Sequence, residues 1–327
     1  MAKLAFSRTE IMYSVGIDIG GTKIAGVLLD EHDQVVASAK SPTPAQDSAA
    51  IFQTVLDMIL ELSSDKSVSS IGVAAAGFIN AARSEVIYAP NLSWRNEPLK
   101  EKLESSLGIP VVIENDANAA GWAEYRFGAG RGSKNMVMLT IGTGVGGAIV
   151  AEGKLYRGGF GIGAEFGHIC YIPEGRPCGC GQRGCLEQYA SGTALLNSAK
   201  ELASSGNPLG ARLLEIAGSP EDLTGQMVYQ AIQESDQGAL QLVEELATHI
   251  GKAIASIVAL LDPELVVIGG GLSVLGEQLL APIYRSYLEN LPPTGFRPEL
   301  RLVVAELVND AGSVGAADLA RELTGSR

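Results

Sequence analysis

The sequence predicts an α/β chain made of two related halves, each the size of an ordinary domain, and three observations predict it. At 327 residues the chain exceeds the length that one hydrophobic core usually serves. Hydrophobic residues make up 46% and charged residues 19%, enough apolar material for true cores and unlike a disordered or fibrous polymer. Most specific is a repeat. Tyr13 to Leu29 (YSVGIDIGGTKIAGVLL) and Met136 to Val150 (MVMLTIGTGVGGAIV) share one layout, and an offset of 122 places Asp18 on Thr140, Ile19 on Ile141 and Gly20 on Gly142.

Each element follows from its local pattern. In Tyr13 to Leu29, alternating apolar residues flank Gly20 and Gly21, which predicts a hairpin with a polar tip. Ile71 to Gly77 (IGVAAAG) is a buried-strand pattern running into glycine, and Leu265 to Gly271 (LVVIGGG) does the same one half later. Helical patterns cover Ala49 to Leu62, Ala119 to Phe127, Thr193 to Ser204 and Ala239 to Leu261, the last with Val243, Leu246, Ile250, Ile254, Ile257 and Leu261 on one face. Alternating strands and helices predict mostly parallel sheets with glycine turns at their carboxyl ends. The expected division is a small domain over 1–118 and a larger one over 119–310 around a cleft, with a final helix within 311–327 packing back on the first.

Composition narrows the partners. A formal charge of -13 supplies no basic field for nucleic acid or anionic membrane, so any phosphate must be held locally. No apolar run is long enough to span a bilayer, and Met1 to Ile11 lacks the apolar stretch of a secretory signal, so a cytoplasmic location is expected. Glycine fills 40 positions, well above the usual share of about 7%, which implies many tight turns or close approaches to a ligand.

Two glycine turns can bind phosphate. In Asp18-Ile-Gly20-Gly21-Thr22-Lys23 the glycines let backbone amides approach an anion, Thr22 and Lys23 add donors, and Asp18 can hold magnesium or its waters. A tight hairpin with a solvated lysine is the plainer reading, and the motif does not match the Walker pattern. Gly142, Thr143 and Gly144 of the second turn complete a two-sided phosphate clamp, and the glycines through Gly270 and Gly271 offer a bare surface for adenosine, unless they are ordinary turn residues. Val111 to Asp116 reads as a strand running into a helix, so Asp116 is either a base for an attacking hydroxyl or an N-cap.

The four cysteines, at 170, 178, 180 and 185, crowd into one stretch, which argues for metal rather than a disulfide framework. His168 with Cys178, Cys180 and Cys185 makes a Cys3His set, a standard tetrahedral arrangement for structural zinc. Cys170 competes for the fourth place; His168 is preferred, and Cys170 is read as a buried free thiol. Glu165 and Glu187 bracket the set and are either acceptors for the hydroxyls of a sugar or acidic surface residues. His32 and His249 are read as structural or solvated.

Taken together, DIGGTK at 18–23, PNLSW at 90–94, ENDANAA at 114–120, TIGTGVGG at 140–147, EFGH at 165–168 and CGCGQRGCLE at 178–187 resemble the ROK family of repressors, open reading frames and sugar kinases, over nearly the whole chain. The resemblance is nearest to bacterial ATP-dependent glucokinases. It implies the actin-like, ribonuclease-H-related ATPase fold in two domains that close over sugar and nucleotide. It also implies Asp116 as general base; Asn91, Asn115, Glu165, His168 and Glu187 as ligands for the sugar hydroxyls; and Gly77 lining the pocket through its backbone. The products would be ADP and hexose 6-phosphate, the cofactors magnesium-ATP and structural zinc, and the assembly a homodimer or homotetramer.

Other readings keep part of this. Mannose, fructose, allose or an N-acetylated amino sugar could replace glucose, since one pocket side chain can change the preference, and Phe166 departs from the isoleucine of EIGH. A sugar-responsive repressor would carry a DNA-binding domain before the first hairpin, where only 12 residues precede Tyr13. The acidic balance favours ATP over polyphosphate as donor.

Overall fold

In the computed structural model residues 12–293, 295–307 and 310–326 are described; Met1 to Ile11, read above for a secretory signal, lie outside them. The described residues divide into two compact units. The first runs to Phe127, takes in Leu155–Gly163 and ends with the final helix; the second holds Gly128–Lys154 and the residues from Ala164 to 307.

The first unit contains β1 (Met12–Ile19), β2 (Lys23–Leu29), β3 (Val35–Pro42), α1 (Ser48–Leu62), β4 (Ser67–Ala75), β5 (Phe78–Ile79), β6 (Val86–Tyr88), β7 (Arg95–Glu97), α2 (Leu99–Leu107), β8 (Val111–Asn115) and α3 (Asp116–Phe127). The second contains β9 (Met136–Ile141), β10 (Val145–Ala151), α4 (Glu187–Ala190), α5 (Gly192–Ser204), α6 (Ala211–Ala217), α7 (Gly225–Gln233), α8 (Gln237–Leu261), β12 (Leu265–Gly269), α9 (Glu277–Asn290) and β13 (Arg301–Val304). β11 (Lys154–Tyr156) carries the chain out of the second unit, and α10 (Ala311–Thr324) belongs to the first. A division at 118 would cut α3, which the contacts of α10 hold in the first unit to its end.

Each unit is organised around a five-stranded sheet of the same order, β3-β2-β1-β4-β8 and β11-β10-β9-β12-β13. Both sheets are mixed rather than mostly parallel: β1 and β9 each pair antiparallel with the next strand and parallel with β4 or β12. The cause is the glycine hairpin that opens each half, since a tight turn joins only antiparallel strands. The offset of 122 is visible in the register, where Asp18 lies opposite Ala25 and Ala74 as Thr140 lies opposite Gly146 and Gly269. This is the actin-like, ribonuclease-H-like ATPase fold in two domains. A three-stranded sheet, β5-β6-β7, is added to the first unit.

Period-two alternation sets the faces of the first sheet. Val15, Ile17 and Ile19 join a core with Ile51, Val55, Met58, Ile59 and Leu62 of α1. On the opposite face are Gly16, Gly72 and Ala74, and α10 lies directly on them; a Cβ on Gly16 or Gly72 would overlap the backbone of Ser313 or Ala316. Trp122 Nε1 donates to the buried Asp318 carboxylate at 2.8 Å and fastens α3 to the same helix. In the second unit, Val243, Leu246, Ile250, Ile254 and Ile257 of α8 are buried in the core with Val137, Leu139, Ile141, Val266 and Ile268, whereas Leu261 is 40% exposed at the helix end. No helix of the described residues is long and apolar enough to cross a membrane.

Candidate functional site

In the first unit the predicted residues gather at the carboxyl ends of β1, β4 and β8. Asp18 projects on the α10 side of the sheet, where only a glycine fits: a Cβ on Gly312 would sit 2.7 Å from the Asp18 Cγ. Beyond it the chain turns through Gly20, Gly21, Thr22 and Lys23, with Gly20 N–H donating to the Lys23 carbonyl at 3.0 Å. Thr43, absent from the sequence reading, braces this tip by donating from its Oγ1 to the Gly20 carbonyl at 2.7 Å and from its N–H to the Thr22 carbonyl at 3.0 Å. Asn91 packs against Gly21, where a Cβ would come within 3.0 Å of the Asn91 Cβ.

Asn115 and Asp116 occupy the junction of β8 and α3. Asn115 Oδ1 accepts the Asn118 N–H at 3.0 Å and so caps the helix, while Asn115 Nδ2 donates to the Gly77 carbonyl at 3.1 Å. The capping role weighed for Asp116 therefore belongs to Asn115. Burial raises the pKa of Asp116, opposed by hydrogen bonds from the Ala117 N–H and its own. Asp18 is pushed up to about 7, first by burial and then by the charge of Asp116, with Lys23 pulling down. These two carboxylates are far apart in sequence and share one electrostatic site.

In the second unit the turn Gly142-Thr143-Gly144 closes with Gly142 N–H donating to the Gly144 carbonyl at 2.9 Å. The start of α5 is stitched to it: Gly192 N–H donates to the Gly142 carbonyl at 2.7 Å, and Thr193 Oγ1 to the Thr143 carbonyl at 2.7 Å. Gly142, Thr143 and Gly271 line a cavity of about 560 Å³ with Leu195, Leu196, Val228, Tyr229, Leu272 and Val274. Gly270 lies behind it with φ +83°, pressed against Ile141 so closely that a Cβ would lie 2.6 Å from the Ile141 carbonyl oxygen. The sequence reading found the glycines and missed the walls. Ser191-Gly192-Thr193 and Thr224-Gly225, capping residues ahead of α5 and α7, were the available signal.

Next to this turn lies the histidine and cysteine set. Glu165 begins a short 3-10 turn over Phe166–His168, and its carbonyl accepts the His168 N–H at 3.0 Å. Phe166 is buried in the core against Gly147, so its departure from isoleucine is taken up by packing. One donor atom from each of His168, Cys178, Cys180 and Cys185 lies within 4.8 Å of all the others; Cys178 Sγ is 3.8 Å from His168 Nδ1, and Cys180 Sγ is 3.6 Å from Cys185 Sγ. A tetrahedron with Zn–S bonds of about 2.3 Å has edges of about 3.8 Å, so the set fits zinc. Burial and the neighbouring thiols push Cys185 up to about 12, a penalty that a dication reverses. Cys170 stands outside the set and is exposed, not buried as expected.

Glu187 joins the set to the turn: its Oε2 accepts the Val145 N–H at 3.0 Å, and its carboxylate lies where a Cβ on Gly144 would be. His249, from α8, takes the structural option. Its Nδ1 is 3.0 Å from the Tyr171 hydroxyl and its ring packs against Tyr189, so α8 grips the cysteine segment. His32 is exposed in a turn.

The chain is similar to known proteins along nearly its whole length. Residues 14–323 match the ROK family. A glucokinase of Streptomyces coelicolor is 44% identical over 310 residues, covering 94% of this chain and 98% of that one. An N-acetylmannosamine kinase of Citrobacter koseri is 32% identical over 311 residues, covering 95% and 99%. The crystal structure of a Streptomyces griseus ROK family glucokinase in complex with glucose and AMPPNP superposes with a TM-score of 0.86 at 43% identity, covering 95% of this chain and 99% of that one. With its two matched sheets, paired glycine turns and Cys3His set aligned along nearly its full length, this chain belongs to the ROK family.

Proposed function

We propose that this chain is an ATP-dependent glucokinase, transferring the γ-phosphoryl group to the 6-hydroxyl of glucose. The observation that carries the reading is the likeness, along 95% of the chain, to a glucokinase whose structure holds glucose and a nucleotide analogue. Asp116 accepts the proton of the 6-hydroxyl as the oxygen attacks, and its raised pKa makes it the stronger base. Asp18 holds magnesium or its waters. The amides of Gly20 and Gly21, with Thr22 and Lys23, and the amides of Gly142 to Gly144, take up phosphate charge. Adenosine fits the apolar cavity beside Gly270 and Gly271.

Asn91, Asn115, Glu165, His168 and Glu187 receive the other sugar hydroxyls, and Gly77 borders them through its backbone. His168, Cys178, Cys180 and Cys185 hold zinc, which when bound fixes the imidazole orientation and leaves Nε2 for a hydroxyl. The family resemblance supports a homodimer or homotetramer, and the absence of a membrane-spanning helix among the described residues is compatible with the proposed cytoplasmic location. The Citrobacter koseri relative favours N-acetylmannosamine as the second acceptor to try.

The test is a coupled assay of ADP formation with magnesium-ATP and a panel of hexoses, with a control lacking sugar. Glucose-dependent turnover is expected. Preference for another sugar would change the acceptor and keep the chemistry, and silence across the panel would favour a non-catalytic sugar sensor.

A further inference from the structure

Glu114 takes no part in the chemistry above, yet it is a wholly buried carboxylate with both oxygens hydrogen-bonded. Its Oε2 accepts Arg83 Nε at 2.9 Å, and its Oε1 accepts Arg157 Nε at 3.0 Å, the Asn115 N–H at 2.9 Å and Asn118 Nδ2 at 3.1 Å. Arg157 is itself only 8% exposed and also donates to the carbonyls of Asn80 at 3.0 Å and Ala81 at 3.2 Å. The Arg83 carbonyl accepts the Ile113 N–H at 3.1 Å, so Arg83 grips β8 by backbone and side chain.

Three segments distant in sequence thus converge on one carboxylate. Burying such a cluster costs desolvation that apolar side chains would avoid, so it is poorly explained as a device for stability. What it does specify is the backbone at the end of β8. Glu114 holds Asn115 N–H and the Asn118 side chain, Asn115 holds Asn118 N–H and the Gly77 carbonyl, and Asp116 is the first residue of the turn so fixed.

We propose that Glu114, clamped between Arg83 and Arg157, is a positioning residue for Asp116, holding the first turn of α3 so that the carboxylate meets the sugar hydroxyl. The inference rests on the reading of Asp116 as base. It acts on turnover rather than on nucleotide binding, because none of the four bonds to Glu114 involves a glycine turn.

The experiment is a double-mutant cycle on the full chain, comparing wild type, Glu114→Gln, Asp116→Asn and the double variant in the ADP assay, with Tm and zinc content followed in each. Glu114→Gln is expected to lower kcat about 10- to 100-fold, the cost of a misplacement near an ångström. KM for magnesium-ATP should stay within about threefold of wild type. In the Asp116→Asn background the same change should cost less than about threefold, because a residue that acts through Asp116 has nothing left to position. Equal losses in both backgrounds, or wild-type kcat in Glu114→Gln, would overturn the inference. Should Glu114→Gln fail to fold, Arg157→Lys is read by the same cycle, since it keeps a buried positive charge but not the fork over Asn80 and Ala81. Turnover surviving in Asp116→Asn would overturn the base assignment and the inference with it, whereas additive losses overturn the inference alone.

Discussion

The two hairpin tips occupy equivalent places in equivalent sheets and differ in what they carry. The β1–β2 tip spans four residues between Ile19 and Ile24, includes Lys23, and follows the Asp18 carboxylate near the end of β1. The β9–β10 tip spans three between Ile141 and Val145, puts Thr140 where the first has Asp18, and has no charge of its own. Its carboxylate comes from outside, as Glu187 of the cysteine segment. The scaffold is the same in both halves and the charges are not: under the proposed function the first tip would serve cation and phosphate, and the second would be a backbone cradle braced by Glu187.

The sharpest way to break this division is at its charged side. Asp116→Asn should lower kcat about 10²- to 10⁴-fold, the usual worth of a general base, with the fold and zinc content kept and Tm not lowered; near-normal turnover in the ADP assay removes Asp116 from that role. On the second side, Cys180→Ala should abolish zinc by metal analysis and raise KM for glucose, because His168 and Glu187 lose their frame. A wild-type protein free of zinc would refute the Cys3His assignment.

Asp18→Asn sharpens the contrast through pH. A carboxylate whose folded pKa is raised to about 7 gives the native state more bound protons than the unfolded chain between its ordinary range near 4 and 7, so it lowers stability as pH rises through that window. Its replacement should therefore raise Tm at pH 8 and change it little at pH 4, while use of magnesium-ATP is lost. In the wild type, magnesium-ATP binding should weaken as pH falls below 7, where Asp18 takes up a proton. The smallest effect separates the tips directly. Gly144→Ala places a methyl group on the Glu187 carboxylate, whereas Gly20→Ala meets only the Lys23 carbonyl at 3.3 Å. KM for ATP should rise about tenfold in the first, the result of roughly 1–2 kcal/mol of overpacking, and less in the second.

The same contrast explains what could be read in advance. Hairpins announce themselves through glycine between alternating apolar residues, and the zinc set falls within eighteen consecutive residues, so both were legible. Mixed sheets were not, because the helices that follow the hairpins resemble parallel crossovers. The cavity walls come from segments beginning near 142, 192, 225 and 271, and no local pattern joins them. The mutual effect of Asp18 and Asp116, and the convergence of Arg83 and Arg157 on Glu114, exist only after folding. In sequence, each of those arginines looks like an ordinary solvated charge.

Helix α10 carries a consequence for how the molecule is made. Glycines at 16 and 72 let its backbone rest on β1 and β4, and Gly315 lets it rest on α3, so the N-terminal sheet lacks one of its covers until nearly the whole chain has left the ribosome. The second unit, continuous from Ala164 through β13, has its strands and helices in hand earlier. The half that begins the chain is therefore completed by its end, and a stop codon just before Ala311 would leave the Asp18 half without α10 while keeping every strand and helix of the second unit.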